Sequence, residues 1–418
     1  MRLATALITL FLCTPGALRA QAACPTPWRL DEVLRIGSPE SADLIRSVYD
    51  LAIGPDSALY VGQAMVPAVT VFSLDGQLLR QIGRAGQGPG DIQLAAFGVG
   101  WIGDTLWIAD RQRIQLFTTN ERVPEEVIDF ALPMPEEGTR LTPGRMLADG
   151  SVLAGRRSIT DWQAWVTAPS LALRRISRAG EILDTIASVE WTSNAVEYER
   201  VPGRTWLAPH PLSDLPPVGL NEYLTALTPD GSTVVQVGRV REDGNPPTFD
   251  ILTISISGDT LLQRTVEYEP REVSSALEDR LADGFAAAIV GDHIDPALRP
   301  PVSETMLERQ RRTVRSAFWV PEHHPPIRQV VAGTDGTIWL LRELREDRVD
   351  VWEIYGSDGT LEGTIEIDEG RTSAVPWFPR LGIAIASRDE VWGTTFDELE
   401  VPYIHRYRVD RTCERQEM

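Results

Sequence analysis

The chain holds five histidines, His210, His293, His323, His324 and His405, and three cysteines, Cys13, Cys24 and Cys413. Imidazoles set among carboxylates can hold zinc or move a proton. His323 and His324 form the one adjacent pair. Neighbours on an extended strand point to opposite sides, so a turn would be needed to bring both onto one ion. Pro325 and Pro326 follow and mark an irregular segment. His210 with His323 or His324, and Asp292 or Asp295 as carboxylate, is a second arrangement. No spacing here matches a zinc motif. No Gly-x-Ser-x-Gly elbow is present for a serine hydrolase. All 40 basic residues are arginine, which excludes a phosphate-loop lysine, a Schiff base and a lysine general base together. The glycine-rich run from Gly83 to Gly90 lacks a lysine and is not followed by a convincing helix. It reads as a tight connection, not a phosphate cradle.

The 418 residues carry 40 basic and 60 acidic side chains, a formal charge of −20. A surface so acidic is not expected to hold nucleic acid. The hydrophobic fraction of 43% allows a buried core. Residues 1–22 read as a signal peptide, with Arg2, an apolar stretch too short to span a bilayer, and Ala20-Gln21-Ala22 as a cleavage signal. The expected location is therefore secreted or periplasmic, with no transmembrane segment in the mature chain. Lipidation at Cys24 is the alternative, although Gln21 stands where such a signal has leucine. Cleavage leaves Cys24 and Cys413, one at each end. In an oxidising compartment they are expected to form a disulfide, which requires the two termini to meet.

The elements that must position these residues follow from a repeat. An Asp turn followed by a β-rich run recurs six times, at Asp56, Asp104, Asp149, Asp230, Asp335 and Asp389. A second tight turn between strands follows each, at Asp75, Asn120, Gly180, Gly258, Asp358 and Asp410. Two hairpins per repeat make a four-stranded unit, and six such units predict an all-β, six-bladed β-propeller spanning residues 23–418. The segment Trp28–Arg35 is the candidate for the last blade's missing fourth strand. Two long inter-blade insertions interrupt the ring, 188–220 and 271–326. The second carries helix patterns, with Ser275 and Glu278 in capping-box spacing, and places a helical insertion between blades 4 and 5.

Residues 104–120, DTLWIADRQRIQLFTTN, resemble the NHL-type propeller repeat. Ile82–Asp91 resembles the glycine-rich link of the same group, and residues 334–366 are similar to blades of secreted bacterial six-bladed propellers. The resemblance implies architecture. The family shares no single reaction, so no catalytic residue is carried across.

In a four-stranded meander the first-to-second and third-to-fourth turns lie on one face, here called lower. The other connections lie on the upper face. Every lower turn is short, and the long segments gather above, where function is expected on a rigid scaffold. The ligand-binding candidates lie there: Asp110 and Arg111 at the end of a strand, Arg156, Trp162, Trp165, Arg239 and Arg342 in second-to-third loops, and Trp206, His210, His323 and His324 in the insertions. Asp91 and Glu222 are the weak metal candidates. Trp107, Trp339, Trp352 and Trp392 fall in strands and are expected to pack between blades. The leading expectation is a binding or interaction module for a peptide, glycan or partner protein, without a cofactor. The rival is a lactonase-like hydrolase with a metal, such as calcium, in the central channel.

Overall fold

A computed structural model describes residues 27–38, 45–64, 66–93, 95–110, 113–118, 123–129, 141–157, 170–190, 195–201, 204–209, 225–238, 241, 245–290, 303–317, 322–368, 379–397 and 401–411. The first strand, β1 (Arg29–Ile36), pairs antiparallel with the last, β26 (Pro402–Asp410), in a register running from Arg29 against Asp410 to Ile36 against Ile404. With β24 (Gly382–Ala386) and β25 (Glu390–Phe396) they make blade 6. The N-terminus thus supplies the fourth strand, as the repeat requires. Trp28 extends the closure: its amide donates to Thr364 O at 2.7 Å, and its indole lies over Gly363 of blade 5.

The remaining blades are meanders in sequence order. Blade 1 is β2 (Ser47–Ile53) to β5 (Leu78–Ile82), and blade 2 is β6 (Gly98–Ile102) to β9 (Glu126–Asp129). Blade 3 is β10 (Leu141–Met146) to β13 (Ile182–Glu190), and blade 4 is β16 (Thr225–Leu227) to β19 (Thr260–Glu267). Blade 5 is β20 (Ile327–Ala332) to β23 (Leu361–Ile367). Six four-stranded antiparallel sheets in a ring define a six-bladed β-propeller. A hairpin, β14 (Ala195–Val201) with β15 (Arg204–Pro209), sits between blades 3 and 4. Two helices, α1 (Ser275–Val290) and α2 (Glu304–Ala317), sit between blades 4 and 5. The α1 cap is Ser274, one residue earlier than the capping-box spacing places it: Leu277 N donates to Ser274 Oγ at 3.2 Å.

The turn chemistry explains the repeat. In Asp149-Gly150-Ser151 the Ser151 amide donates to Asp149 Oδ1 at 2.9 Å, and Gly150 has a φ of +80°. The same bond recurs at Asp230, Asp335 and Asp358. A short carboxylate satisfies the turn amide, and glycine takes the left-handed position that a Cβ would strain.

Apolar faces of neighbouring blades then pack against each other. Tyr60 and Val71 of blade 1 meet Ile92, Val99 and Ile108 at blade 2, and Trp339 and Trp352 of blade 5 meet Leu381 and Ile383 at blade 6. Trp107 lies in the seam between blades 2 and 3, and Trp392 in that between blades 6 and 1. Burying each such side chain contributes roughly 1.5–3 kcal/mol. The strand tryptophans are therefore core, as their positions predicted.

Candidate functional site

The upper ends of the blades are held by polar side chains that have no repeat in the sequence. In blade 2, Asp110 ends β7 (Thr105–Asp110), is buried, and accepts from the Gln93 amide at 2.8 Å and from Arg113 Nη2 at 3.0 Å. Arg113, also buried, donates to the carbonyls of Gln87 and Asp91 at 3.0 and 2.7 Å. The glycine-rich link therefore turns its carbonyls toward a guanidinium, the opposite polarity to a phosphate cradle. Asp91 lies in that link. Its carboxylate accepts from Arg84 Nε at 2.8 Å and from the Gly88 amide at 2.9 Å, and these donors hold its pKa below the usual carboxylate value. Both its oxygens serve the turn.

Blade 5 gathers the largest cluster. Arg328 donates to Asp350 Oδ1 at 2.5 Å, and Asp350 also accepts the Arg380 amide of the next inter-blade link. Arg342, the last residue of β21 (Ile338–Arg342), pairs with Glu343 and Glu353, each at 3.1 Å. Burial opposes its charge, but the carboxylates of Glu353 and Glu343 outweigh that and its pKa rises. His324 stands beside them, 4% exposed. Its amide donates to Arg271 O at 2.9 Å, and Arg271 faces Glu343 at 3.6 Å. Nδ1 of His324 is buried without a partner. Burial lowers its pKa, with the Glu343 charge pulling the other way. His323 forms an isolated bridge with Glu272. The structure thus brings together two of the predicted residues, His324 and Arg342, around Glu343.

Blade 6 holds an imidazole whose role sequence reading did not assign. His405 Nε2 lies 2.7 Å from Thr395 Oγ1, and its Nδ1 lies 2.7 Å from Glu32 Oε2 on the closing strand. Burial keeps its pKa low, while the hydrogen bond to Glu32 raises it.

Other expectations land differently. Arg156 is in β11 (Val152–Arg157), opposite Thr142, and Trp206 is in hairpin strand β15, opposite Tyr198, so both are strand residues and not loop residues. Arg111, Trp162, Trp165, His210, Glu222 and Arg239 lie outside the described residues, as do Cys24, Cys413 and residues 1–22. The register of β1 on β26 brings Arg29 against Asp410, five residues after Cys24 and three before Cys413.

The inner strands of all six blades line a central channel. Among the described residues its charged lining is Asp50 of β2 and Arg145 of β10. Asp50 Oδ1 accepts from Arg145 Nη2 at 3.0 Å and from its neighbour's amide, Leu51 N, at 3.1 Å; Oδ2 accepts from Val99 N of blade 2 at 3.0 Å. This carboxylate ties three blades together. Burial raises its pKa, and Arg145 offsets part of that. No sequence signal marks this pair, because 95 residues separate its members. Calcium would need several converging oxygens. Among the described residues no three His, Cys, Asp or Glu side chains gather as a metal set, so the described donors do not fit that ion.

Fold and channel together define the class: a six-bladed β-propeller with one elaborated face. No family model and no curated protein sequence matches the chain. Solved structures resemble it in layout. A Bacteroides fragilis chain described as exported is 10% identical, with 94% of this chain and 98% of that one covered and a TM-score of 0.47. The PQQ-bound aldose sugar dehydrogenase of Streptomyces coelicolor is 11% identical over 93% and 100%, with a TM-score of 0.42. The calcium-binding protein regucalcin of Agrobacterium tumefaciens is 10% identical over 92% and 96%, with a TM-score of 0.39. Among the described residues no helix is long and apolar enough to cross a membrane.

Proposed function

We propose that this chain is an exported β-propeller that binds a peptide or protein partner through its upper face. The observation that carries the reading is the joining of the two insertions: α2 packs against β14 of the hairpin, and α1 packs through Leu277 and Leu281 on Leu344 in the second-to-third loop of blade 5. Together they form one platform on the face where the lower turns cannot reach.

The platform is built for contact. Leu307 and Val314 face inward from α2, while Met306 is 41% exposed and Arg309 and Arg312 are exposed. Arg315 is anchored to Asp279 and Asp283 of α1, which fixes the two helices to each other. Met and Arg are enriched where proteins meet, and arginine on an otherwise acidic molecule favours an acidic segment. Trp162, Trp165, Trp206 and His210 are the further binding residues of this reading, with Arg156 and Arg239.

The test is a peptide display selection against the mature protein. Selected sequences are expected to be acidic and to lose binding to the triple variant Met306→Asp/Arg309→Glu/Arg312→Glu, whose melting temperature stays unchanged. Peptides that bind wild type and variant alike would sink the proposal. Export is tested separately: the N-terminus of protein recovered outside the cytoplasm is expected at Ala23. A cytoplasmic product that retains Met1 would overturn it.

A further inference from the structure

We propose that the lower half of the central channel binds a small carboxylate, with Arg145 as its anchor. This site is independent of the upper-face platform.

Space comes first. Each blade lends the channel one small residue: Ala52, Gly100, Gly144, Ala226, Ala332 and Ala384. The cavity these strands line has a volume of about 210 Å³ and reaches the lower turns at Pro229 and Thr334. The rest of the wall is mainly apolar, with Leu51, Val330, Ile383 and the indoles of Trp101 and Trp107 among its members. A well-packed interior leaves few voids, so a hollow shared by six strands needs a reason.

Charge comes second. Among the described residues two charged side chains line the hollow, Asp50 and Arg145, and they are not equivalent. The Asp50 side chain is 7% exposed and its oxygens already accept three donors. The Arg145 side chain is 31% exposed, and its described ion pair uses Nη2 alone. A guanidinium carries five N–H donors in a planar fork that matches a carboxylate. The charge a ligand can reach is therefore positive, inside a protein of net charge −20. Asp50 holds the arginine in place and leaves its remaining donors for an anion. Three carboxylates at the lower rim are countered, Asp56 by Arg80, Asp149 by Arg175 and Asp335 by Arg388, while Asp230 is held by the hydroxyls of Thr228 and Ser232. An apolar wall around one guanidinium suits a carboxylate with a short hydrocarbon or aromatic tail.

The experiment titrates the mature protein with sodium acetate, propionate and benzoate, against sodium chloride at matched ionic strength. Tryptophan fluorescence is the readout, because Trp101 and Trp107 line the cavity. At least one carboxylate is expected to give a saturable change absent with chloride. Arg145→Gln is expected to weaken it tenfold or more, and Asp50→Asn to tighten it, since one competing negative charge is gone. Arg145→Gln strands a buried carboxylate and endangers the fold, so Gly144→Leu provides a second route. Beyond its chain neighbours, a Cβ at Gly144 meets only Leu153 O, at 3.4 Å, so a leucine there is expected to be accommodated and to take up space in the hollow. Loss of binding in Gly144→Leu supports the site. No saturable response to any of the three salts, or a response unchanged in Gly144→Leu, overturns it.

Discussion

At the lower face, a turn amide finds its acceptor two residues away: Ser232 N reaches Asp230 Oδ1 at 3.1 Å, and Thr337 N reaches Asp335 Oδ1 at 3.2 Å. At the upper face, the amide of an inter-blade link finds its acceptor on a strand of a blade. Gln93 N donates to Asp110 and Arg46 N to Gln63, each 17 residues apart, and Arg380 N donates to Asp350, 30 residues apart. Both faces obey the rule that a buried backbone donor must be paired. The lower face repeats one local bond, an Asp carboxylate to the amide two residues on, in the first turns of blades 3, 4 and 5. The upper face uses a different long-range partner in each of blades 1, 2 and 5, which leaves its loops free to vary in length and content.

If that contrast is real, removing an upper partner must cost much more than removing a lower one. Asp110→Ala leaves the buried Arg113 charge without its carboxylate, held only by link carbonyls, and is expected to cost about 3–5 kcal/mol in urea unfolding. A loss below about 1 kcal/mol would break the comparison.

Glycine comes next. Gly231 has a φ of +71°, and a Cβ there would meet Ala148 N of blade 3 at 2.9 Å. Gly180 has a φ of +83° with no atom within 4 Å. Left-handed strain alone costs roughly 1–2 kcal/mol, expected for Gly180→Ala. Overpacking adds roughly 1–3 kcal/mol at Gly231→Ala, because the new Cβ would meet the backbone of blade 3 at under 3.0 Å. Equal losses would mean the blade 3–4 contact is softer than it looks.

A third comparison uses pH. Burial depresses the pKa of His324 and His405 in the fold below the ordinary value of 6.5. The unfolded chain then binds protons that the fold does not. Their contribution to stability is complete above about pH 6.5, and is lost as the pH falls toward the depressed values. Melting temperature is expected to drop through this range, and to drop less in His405→Gln or His324→Gln. The lower turns lose stability in the same direction, but in a more acidic range and from a different origin. Asp149, Asp230, Asp335 and Asp358 have lowered pKa values, so their stabilisation is present above the ordinary carboxylate value of 3.8 and fails below it. A melt unaffected between pH 7 and pH 5 in wild type would refute the imidazole part.

The smallest effect belongs to single lower turns. Asp358→Ala removes the acceptor for the Thr360 amide and hydroxyl at an exposed site, and about 1 kcal/mol or less is expected. A larger value would show that this turn does more than close a hairpin.

The amino-acid sequence determined the repeat, and with it the strand count, the lower turns and the closure by the N-terminal strand. Those features rest on interactions within a few residues, or on a period that repeats six times, so they can be read along the chain. The strand tryptophans were legible for the same reason: alternation puts them on a buried face whatever the neighbour. Only the tertiary structure decided which polar groups meet. Asp50 and Arg145 are 95 residues apart, Glu32 and His405 are 373 apart, and neither pair sits in a motif. Arg156 and Trp206 proved to be strand residues because ladder pairing, invisible in composition, extended the strands beyond their apolar runs. Likewise the channel hollow is lined by residues of six separate inner strands, each ordinary in its own strand, that share a cavity only when the ring brings them to one axis.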